Sequence, residues 1–305
     1  MSGRSKHAHG RTGTALGAAL SAGTLGILLV LFVVLAVAGC GGNDSYKSDA
    51  TAIVSDLQTV TDASVALLER AALEQTESTG TDPQAGLEQA EAIRDQSAQW
   101  AASVVEALAG FRGLTPPENA VSLHNDYTSF LEAYGVAVDK LSTIAGYAAD
   151  VLSASSGLRA ATAEDGVLGQ LGALVDTSSA DLEAEVALLD SGYGVIEDFL
   201  TQWESISSPE DFADIHSTIG TDLNTALLAL ESALGEARAA VGSGSGEGAV
   251  AFQSLVAEFS AQWAMVQQDF EGWSAVHASL TSSWLADMQE LLQQQGELRA
   301  SLEAL

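Results

Sequence analysis

The chain has 305 residues, of which 41 are acidic and 11 are basic, and its formal net charge at pH 7 is −30. A surface this negative repels nucleic-acid phosphates and anionic lipid headgroups, so both are excluded as direct partners. A single cysteine also excludes an internal disulfide and a metal site made of several thiolates.

The N-terminal 39 residues have the organisation of an export signal. Arg4, Lys6 and Arg11 precede an uncharged apolar stretch over about 14–39, and no acidic residue occurs before position 44. A basic start, an apolar middle and small residues at the end are typical of a signal peptide. We therefore exclude residues 1–39 from the fold.

The apolar stretch ends in Val37-Ala38-Gly39-Cys40, which resembles the lipobox of bacterial lipoproteins. The resemblance implies cleavage before Cys40, acylation of this cysteine, and a mature protein attached to the membrane by its lipid. Two alternatives stay open, because residues 15–39 are long enough for an uncleaved transmembrane helix, and a signal can also be cleaved without lipidation. All three put the later residues on the outer side of a membrane, since the positive charges flank the other end.

Composition predicts that the remainder of the chain is helical. The first 39 residues hold three of the 11 basic residues and none of the 41 acidic ones, so the remainder carries a formal charge of −33. Only four prolines occur, alanine, leucine, glutamate and glutamine are abundant, and these residues lose little on entering a helix. No alternating run predicts a strand. We predict an all-α fold, an elongated antiparallel bundle of about six long helices.

In chain order, residues 40–47 are predicted to be a lipidated tether and residues 48–305 an acidic helical bundle. The first helix is expected over about 48–77, with one polar interruption, Ser64, on its apolar stripe. A glycine and a proline at 80–83 separate it from a second helix that ends near 112. The stripe of the first helix recurs at alternating steps of four and three residues, at Ile53, Leu57, Val60, Ser64, Leu67 and Ala71.

The third helix is predicted to begin sharply at Thr115-Pro116-Pro117-Glu118, with Thr115 capping the free amides and Glu118 reaching back to it. Its apolar rhythm continues to Val151. Residues 153–176 are rich in glycine and serine and are predicted to interrupt the bundle, with one short helix. Three further helices are expected to follow, to about Trp203, from Ser207-Ser208-Pro209-Glu210 to about 241, and over about 247–302 after a glycine-serine loop.

Two segments of the chain match each other at an offset of 92 residues. Phe111, Leu114, Pro117, Glu118 and His124 correspond to Trp203, Ile206, Pro209, Glu210 and His216. Two capped amphipathic helices resemble each other by chance, but proline, glutamate, histidine and an aromatic residue at one offset favour a duplication. The predicted unit is a helical hairpin with a proline turn, over about 84–155 and 177–242.

The three histidines after Cys40 are the weak candidates for a ligand or metal site. His124 and His216 occupy equivalent positions and have aspartates nearby, as a zinc or iron site would need. No Glu-x-x-His or His-Glu-x-x-His motif occurs, so a half-buried histidine bonded to a carboxylate or backbone group is the favoured interpretation. His277 lies on an aromatic stripe of the last helix, which favours core over a ligand pocket.

No motif of catalysis is present. The chain lacks a Gly-x-Ser-x-Gly elbow, and its Gly-x-Gly sequences do not follow strands. Carboxylate pairs such as Glu183 with Glu185, or Asp211 with Asp214, are expected on solvated faces. The sequence therefore predicts no enzyme and no cofactor, and favours a membrane-attached envelope lipoprotein that binds or scaffolds another envelope component. The alternative is an extracytoplasmic ligand- or metal-binding protein using His124, His216 or His277.

Overall fold

The computed structural model describes residues 43–77, 83–174, 182–243 and 246–305, and within these ranges it contains seven α-helices and no strand. The all-α prediction is confirmed for this part of the chain, with six long helices and one short one. The helices are α1 (Asn43–Glu77), α2 (Pro83–Arg112), α3 (Val121–Thr162), α4 (Val167–Leu174), α5 (Leu182–Ser205), α6 (Ala213–Ser243) and α7 (Gly246–Glu303).

Two helix boundaries differ from those predicted. Helix α1 begins at Asn43, so it includes most of the predicted tether over 40–47. Helix α3 continues to Thr162 through the serine-rich residues 153–157. It stays helical there because Leu158 keeps a buried face and the Ser155 hydroxyl donates to the carbonyl of Leu152 at 3.1 Å, within the helix itself.

Two apolar cores follow one another along the bundle. The first core joins α1, α2, the first half of α3 and the second half of α7. Its largest fully buried side chains include Phe111, Tyr127, Phe130, Tyr134 and Trp284. The heptad spacing of α3 produces this face, because steps of four and three residues keep Tyr127, Phe130 and Tyr134 on one side of the helix.

The second core joins the second half of α3, α4, α5, α6 and the first half of α7. Its buried side chains include Leu189, Ile196, Trp203, Phe212 and Phe259. Helices α3 and α7 run through both cores, and at 58 residues α7 is about 87 Å long at 1.5 Å per residue. Trp284 of α7 also donates its indole N–H to the carbonyl of Ala137 in α3 at 2.7 Å.

Helix α1 is joined to its neighbours by hydrogen bonds as well as by apolar packing. Ser64, the polar interruption of its stripe, is fully buried and hydrogen-bonded to Tyr134 Oη of α3 at 2.8 Å. Gln295 Nε2 of α7 donates to Thr61 Oγ1 at 3.0 Å. These bonds satisfy polar groups that would otherwise be buried without partners, and they define one register of α1 against α3 and α7.

Candidate functional site

The two hairpin turns have the same backbone geometry at the offset of 92 residues. The amide of Leu114 donates to the carbonyl of Phe111 at 3.1 Å, and Ile206 donates to Trp203 at the same distance. Pro117 and Pro209 have φ values of −68° and −64° and ψ values of 161° and 157°. The two segments therefore form the same turn.

The predicted side-chain caps are wrong. Each proline precedes a short 3₁₀ turn, Glu118–Ala120 or Glu210–Phe212, and no side-chain capping bond is formed at either. The turns are closed by the backbone instead: the amide of Ala120 donates to the carbonyl of Pro117 at 2.9 Å, and its counterpart in the second turn spans 3.0 Å. Proline suits this position because its φ is already fixed near the observed value and because no amide donor is needed there.

His124 lies at the first turn, between two aromatic residues from different helices. Its ring stacks on Phe111 of α2, with ring centroids 5.3 Å apart. Its Nδ1 is hydrogen-bonded to Tyr46 Oη of α1 at 3.3 Å. The ring of Tyr127, one turn further along α3, packs against Phe111 at 5.0 Å. This arrangement is called the first histidine cluster below.

His216 has the same surroundings at the second turn, and these residues form the second histidine cluster. Its ring stacks on Trp203 of α5 with centroids 4.5 Å apart and an angle of 16° between the planes. Its Nδ1 is hydrogen-bonded to Tyr147 Oη of α3 at 2.9 Å. Trp203 also donates its indole N–H to the carbonyl of His216 at 3.1 Å. The ring of Phe212 packs on Tyr147 at 4.5 Å.

The tyrosine partners of the two histidines are missing from the sequence prediction, which expected a carboxylate or a backbone group. Tyr46 and Tyr147 are 101 residues apart, so they do not match at the offset of 92. Tyr46 lies on α1, outside both hairpins, and Tyr147 lies on α3 of the first hairpin, where it meets the second hairpin. Only the packing of the helices brings them to the histidines, and no periodicity in the sequence indicates it.

His277 belongs to the surroundings of the second cluster. Its ring stacks on Trp273 with centroids 5.5 Å apart and lies 6.5 Å from the ring of Phe212. Trp273 in turn contacts Tyr147, at 6.4 Å. The structure therefore brings two of the candidate histidines, His216 and His277, around one set of aromatic rings, and it leaves His124 at the other turn.

Burial shifts the pKa values of these groups toward their neutral forms. It lowers the pKa of all three histidines below the ordinary 6.5. It raises the pKa of Tyr147 to about 12, although Ser208 and Trp273 nearby act in the opposite direction. The neutral ring is thus favoured for all three imidazoles, and those of His124 and His216 are each hydrogen-bonded to a tyrosine hydroxyl.

Carboxylates take no part in these clusters. Asp126, Asp211 and Asp214 are exposed, and neither histidine forms an ion pair within the described ranges. The described residues contain no group of three or more metal-ligating side chains that could hold an ion. Glu185, expected on a solvated face, is only 5 % exposed, so that prediction is wrong.

One carboxyl pair that the sequence did not indicate lies between α6 and α7. Asp269 has a buried Oδ2 with no protein donor among the described residues. Burial raises the pKa of its carboxyl, and the adjacent Asp222 raises it further. The protonated form of Asp269 is therefore favoured, as expected for a carboxyl that is buried beside a like charge.

Cys40 and the alternative transmembrane segment over 15–39 lie outside the described residues. Within those residues, no helix combines the length and apolar character needed to span a bilayer. No protein-family model matches the chain, and no similar protein is found among curated sequences or solved structures.

Proposed function

We propose that the chain is a lipoprotein of the bacterial envelope, held to the membrane by acyl groups on Cys40, whose acidic bundle binds or scaffolds another envelope component. The observation that carries the proposal is the lipobox-like sequence at the end of the apolar stretch, three residues before α1 begins. The covalent link from Cys40 to Asn43 is three residues long, or at most about 11 Å.

The arrangement of helices supports attachment by one end. Lys47, near the start of α1, donates to the carbonyl of Glu303 at the end of α7. The start of α1, the end of α7 and the first hairpin turn therefore lie together. With α7 about 87 Å long, the second hairpin would extend away from a membrane that holds this end.

Charge supports a protein partner rather than the lipid surface. Between Arg159 and Arg238 the sequence contains no lysine or arginine, whereas this stretch holds 16 acidic residues. The projecting half of the bundle would thus repel anionic headgroups and attract a basic or weakly charged surface. A binding or scaffolding role fits this distribution, and we propose no reaction for the chain.

The anchor is tested by the fate of Cys40. Mass spectrometry of the membrane-bound protein from its own host should find an N-terminal acylated Cys40. The variant Cys40→Ser should accumulate as unmodified precursor or leave the membrane fraction, because two or more acyl chains are needed for firm attachment. Ser45→Ala is the matched control and should be processed normally. An intact N-terminal residue on the membrane-bound wild type would reject the lipoprotein and leave the transmembrane anchor.

A further inference from the structure

The first histidine cluster is the place where α1 meets the hairpin end. Tyr46 is the fourth residue of α1, and its hydroxyl is hydrogen-bonded to His124. The next residue, Lys47, is bonded to the end of α7. The first turn of α1 is therefore held by polar contacts to two different elements.

This cluster also contains a polar group without a partner. Tyr127 Oη is buried and forms no hydrogen bond within the described chain. A buried hydroxyl without a bond destabilises the state that buries it. The closed cluster is consequently less than fully satisfied, and opening it would let water reach this hydroxyl.

The tyrosine of the second cluster lies at a different place in its helix from the tyrosine of the first. Tyr147 lies in the middle of α3, and its helix continues for more than one turn on both sides with buried neighbours such as Ile144 and Val151. A change in its bond to His216 cannot free an end of α3. Tyr46 lies within one turn of the start of α1, so a change in its bond can free that turn.

Charged side chains near the first histidine cluster form ion pairs with one another. Arg112 pairs with Glu132, and Arg299 pairs with Glu303 and bonds to Gln58. None of these forms a bond to His124, and burial alone lowers the pKa of its imidazole. The titratable and charged groups around the cluster are Tyr46 and Lys47 on α1, Arg112 on α2, Asp126 and Tyr127 on α3, and Arg299 and Glu303 on α7.

We propose that Tyr46 and His124 form a proton-sensitive latch on α1, which holds its first turns closed while His124 is neutral and releases them when His124 takes up a proton. The imidazole in the closed cluster is half-buried, with one face against Phe111, and no carboxylate pairs with it within the described ranges. A charged ring is therefore more stable in the open form, where it is hydrated. The remainder of α1 stays docked through Thr61 and Ser64.

The latch changes the length of the attachment if the chain is anchored as proposed above, and that consequence rests on the proposed function. Releasing residues 43–50 would add about eight residues to the link between lipid and bundle, or about 25 Å when extended. Acid conditions would then allow the bundle to stand further from the membrane. The latch itself depends only on the fold.

Hydrogen exchange of the full chain in detergent tests the latch. Amides of residues 47–50 should exchange about threefold faster or more at about pH 5.5 than at about pH 7.5, after correction for intrinsic rates, since each unit of pKa shift is tenfold in the opening constant. Amides around Tyr147 should show no such step. An N-terminal segment with the same protection at both pH values would overturn the latch.

Three variants separate the latch from a general effect of acid. His124→Gln should remove the pH dependence of exchange at residues 47–50. The glutamine side chain can accept a hydrogen bond from the Tyr46 hydroxyl, but it does not titrate near neutral pH. Tyr46→Phe should exchange rapidly at both pH values. His216→Gln is the matched control in the second cluster and should keep the step. A full step in His124→Gln, or none in His216→Gln, would contradict the assignment to His124. Acylation of Cys40, read from the same samples, is an independent result.

Discussion

Each histidine at a hairpin turn lies flat against an aromatic ring and is bonded to a tyrosine from another helix. Phe111 and Trp203 each cover one face of their histidine ring, and a tyrosine hydroxyl is hydrogen-bonded to Nδ1 of each ring. No carboxylate pairs with either imidazole in the part of the chain that the structure describes, so burial is the dominant effect, and it favours the neutral ring.

The three histidines should make the folded state sensitive to mild acid. Their folded pKa values lie below 6.5, so below that pH the unfolded chain binds more protons than the folded one. The free energy of unfolding should therefore fall as the pH drops from about 7.5 to about 5.5, where ordinary carboxyls near pKa 4 remain ionised. Chemical denaturation at the two pH values measures the difference.

His277→Gln is the informative variant for this effect. His277 packs between Trp273 and Phe212, and replacing it should reduce the difference in unfolding free energy between the two pH values.

Asp269 should have the opposite effect on the pH dependence of stability. Its carboxyl has a pKa raised above 3.8 in the folded chain, so it contributes stability that is lost as the pH rises above 3.8. Asp269→Asn should therefore enlarge the loss on acidification. Equal stability at both pH values in the wild type and in Asp269→Asn would contradict the prediction.

At the scale of elements, two helical hairpins have equivalent turns. The first hairpin consists of α2 and α3 and the second of α5 and α6, and each buries one aromatic side chain just before its proline. Phe111 has no exposed surface and Trp203 is 1 % exposed. The aromatic residue fills the end of the hairpin, where the 3₁₀ turn brings the two helices together.

Truncation of either aromatic residue should destabilise the protein strongly. Phe111→Ala and Trp203→Ala should each lower the free energy of unfolding by about 3–5 kcal/mol, because each leaves a cavity and removes the ring on which a histidine stacks. Urea denaturation monitored by circular dichroism measures both. The matched controls are Val105→Ala and Leu228→Ala, at side chains 66 % and 54 % exposed, which should change the value by about 0.5 kcal/mol or less. A loss of that small size for Phe111→Ala or Trp203→Ala would show that the turn does not depend on them.

Across the whole molecule, repulsion between like charges outweighs attraction. The described residues contain four ion pairs, and all have both partners largely exposed. Exposed pairs contribute about 0–1 kcal/mol each. Against them stand 41 acidic residues and 11 basic ones in the whole chain, so the net electrostatic effect opposes compactness.

Salt should therefore stabilise the bundle. The melting temperature should rise between low and about 0.15 M ionic strength, because screening shortens the Debye length to about 8 Å and weakens repulsion more than it weakens the few ion pairs. Acid is a less direct probe of the repulsion, since protonation of the histidines also changes the free energy of unfolding. Scanning calorimetry at constant pH measures the effect.

Variants with fewer carboxylates provide the control for salt. Glu204, Glu210 and Asp214 are exposed residues near the second hairpin turn. Changing all three to their amides should raise the melting temperature at low salt and reduce its rise with added salt. A melting temperature that is constant or falls with salt would show that the ion pairs outweigh the repulsion.

The spacing of apolar residues determined the helices and their buried faces. In α3, steps of four and three residues predicted Tyr127, Phe130 and Tyr134 on one face, and all three are buried. The offset of 92 predicted two equivalent hairpin turns, and their backbone hydrogen bonds match. These features are local, because helix periodicity and proline at a turn act within a few residues.

Tertiary structure alone decided the partners of the polar groups. Tyr46 and His124 are 78 residues apart, Tyr147 and His216 are 69 apart, and Thr61 and Gln295 are 234 apart. A hydrogen bond depends on position to within tenths of an ångström. The sequence pattern shows which face of a helix is buried but not which residue lies opposite, since that depends on how far α1, α3 and α7 are displaced along one another.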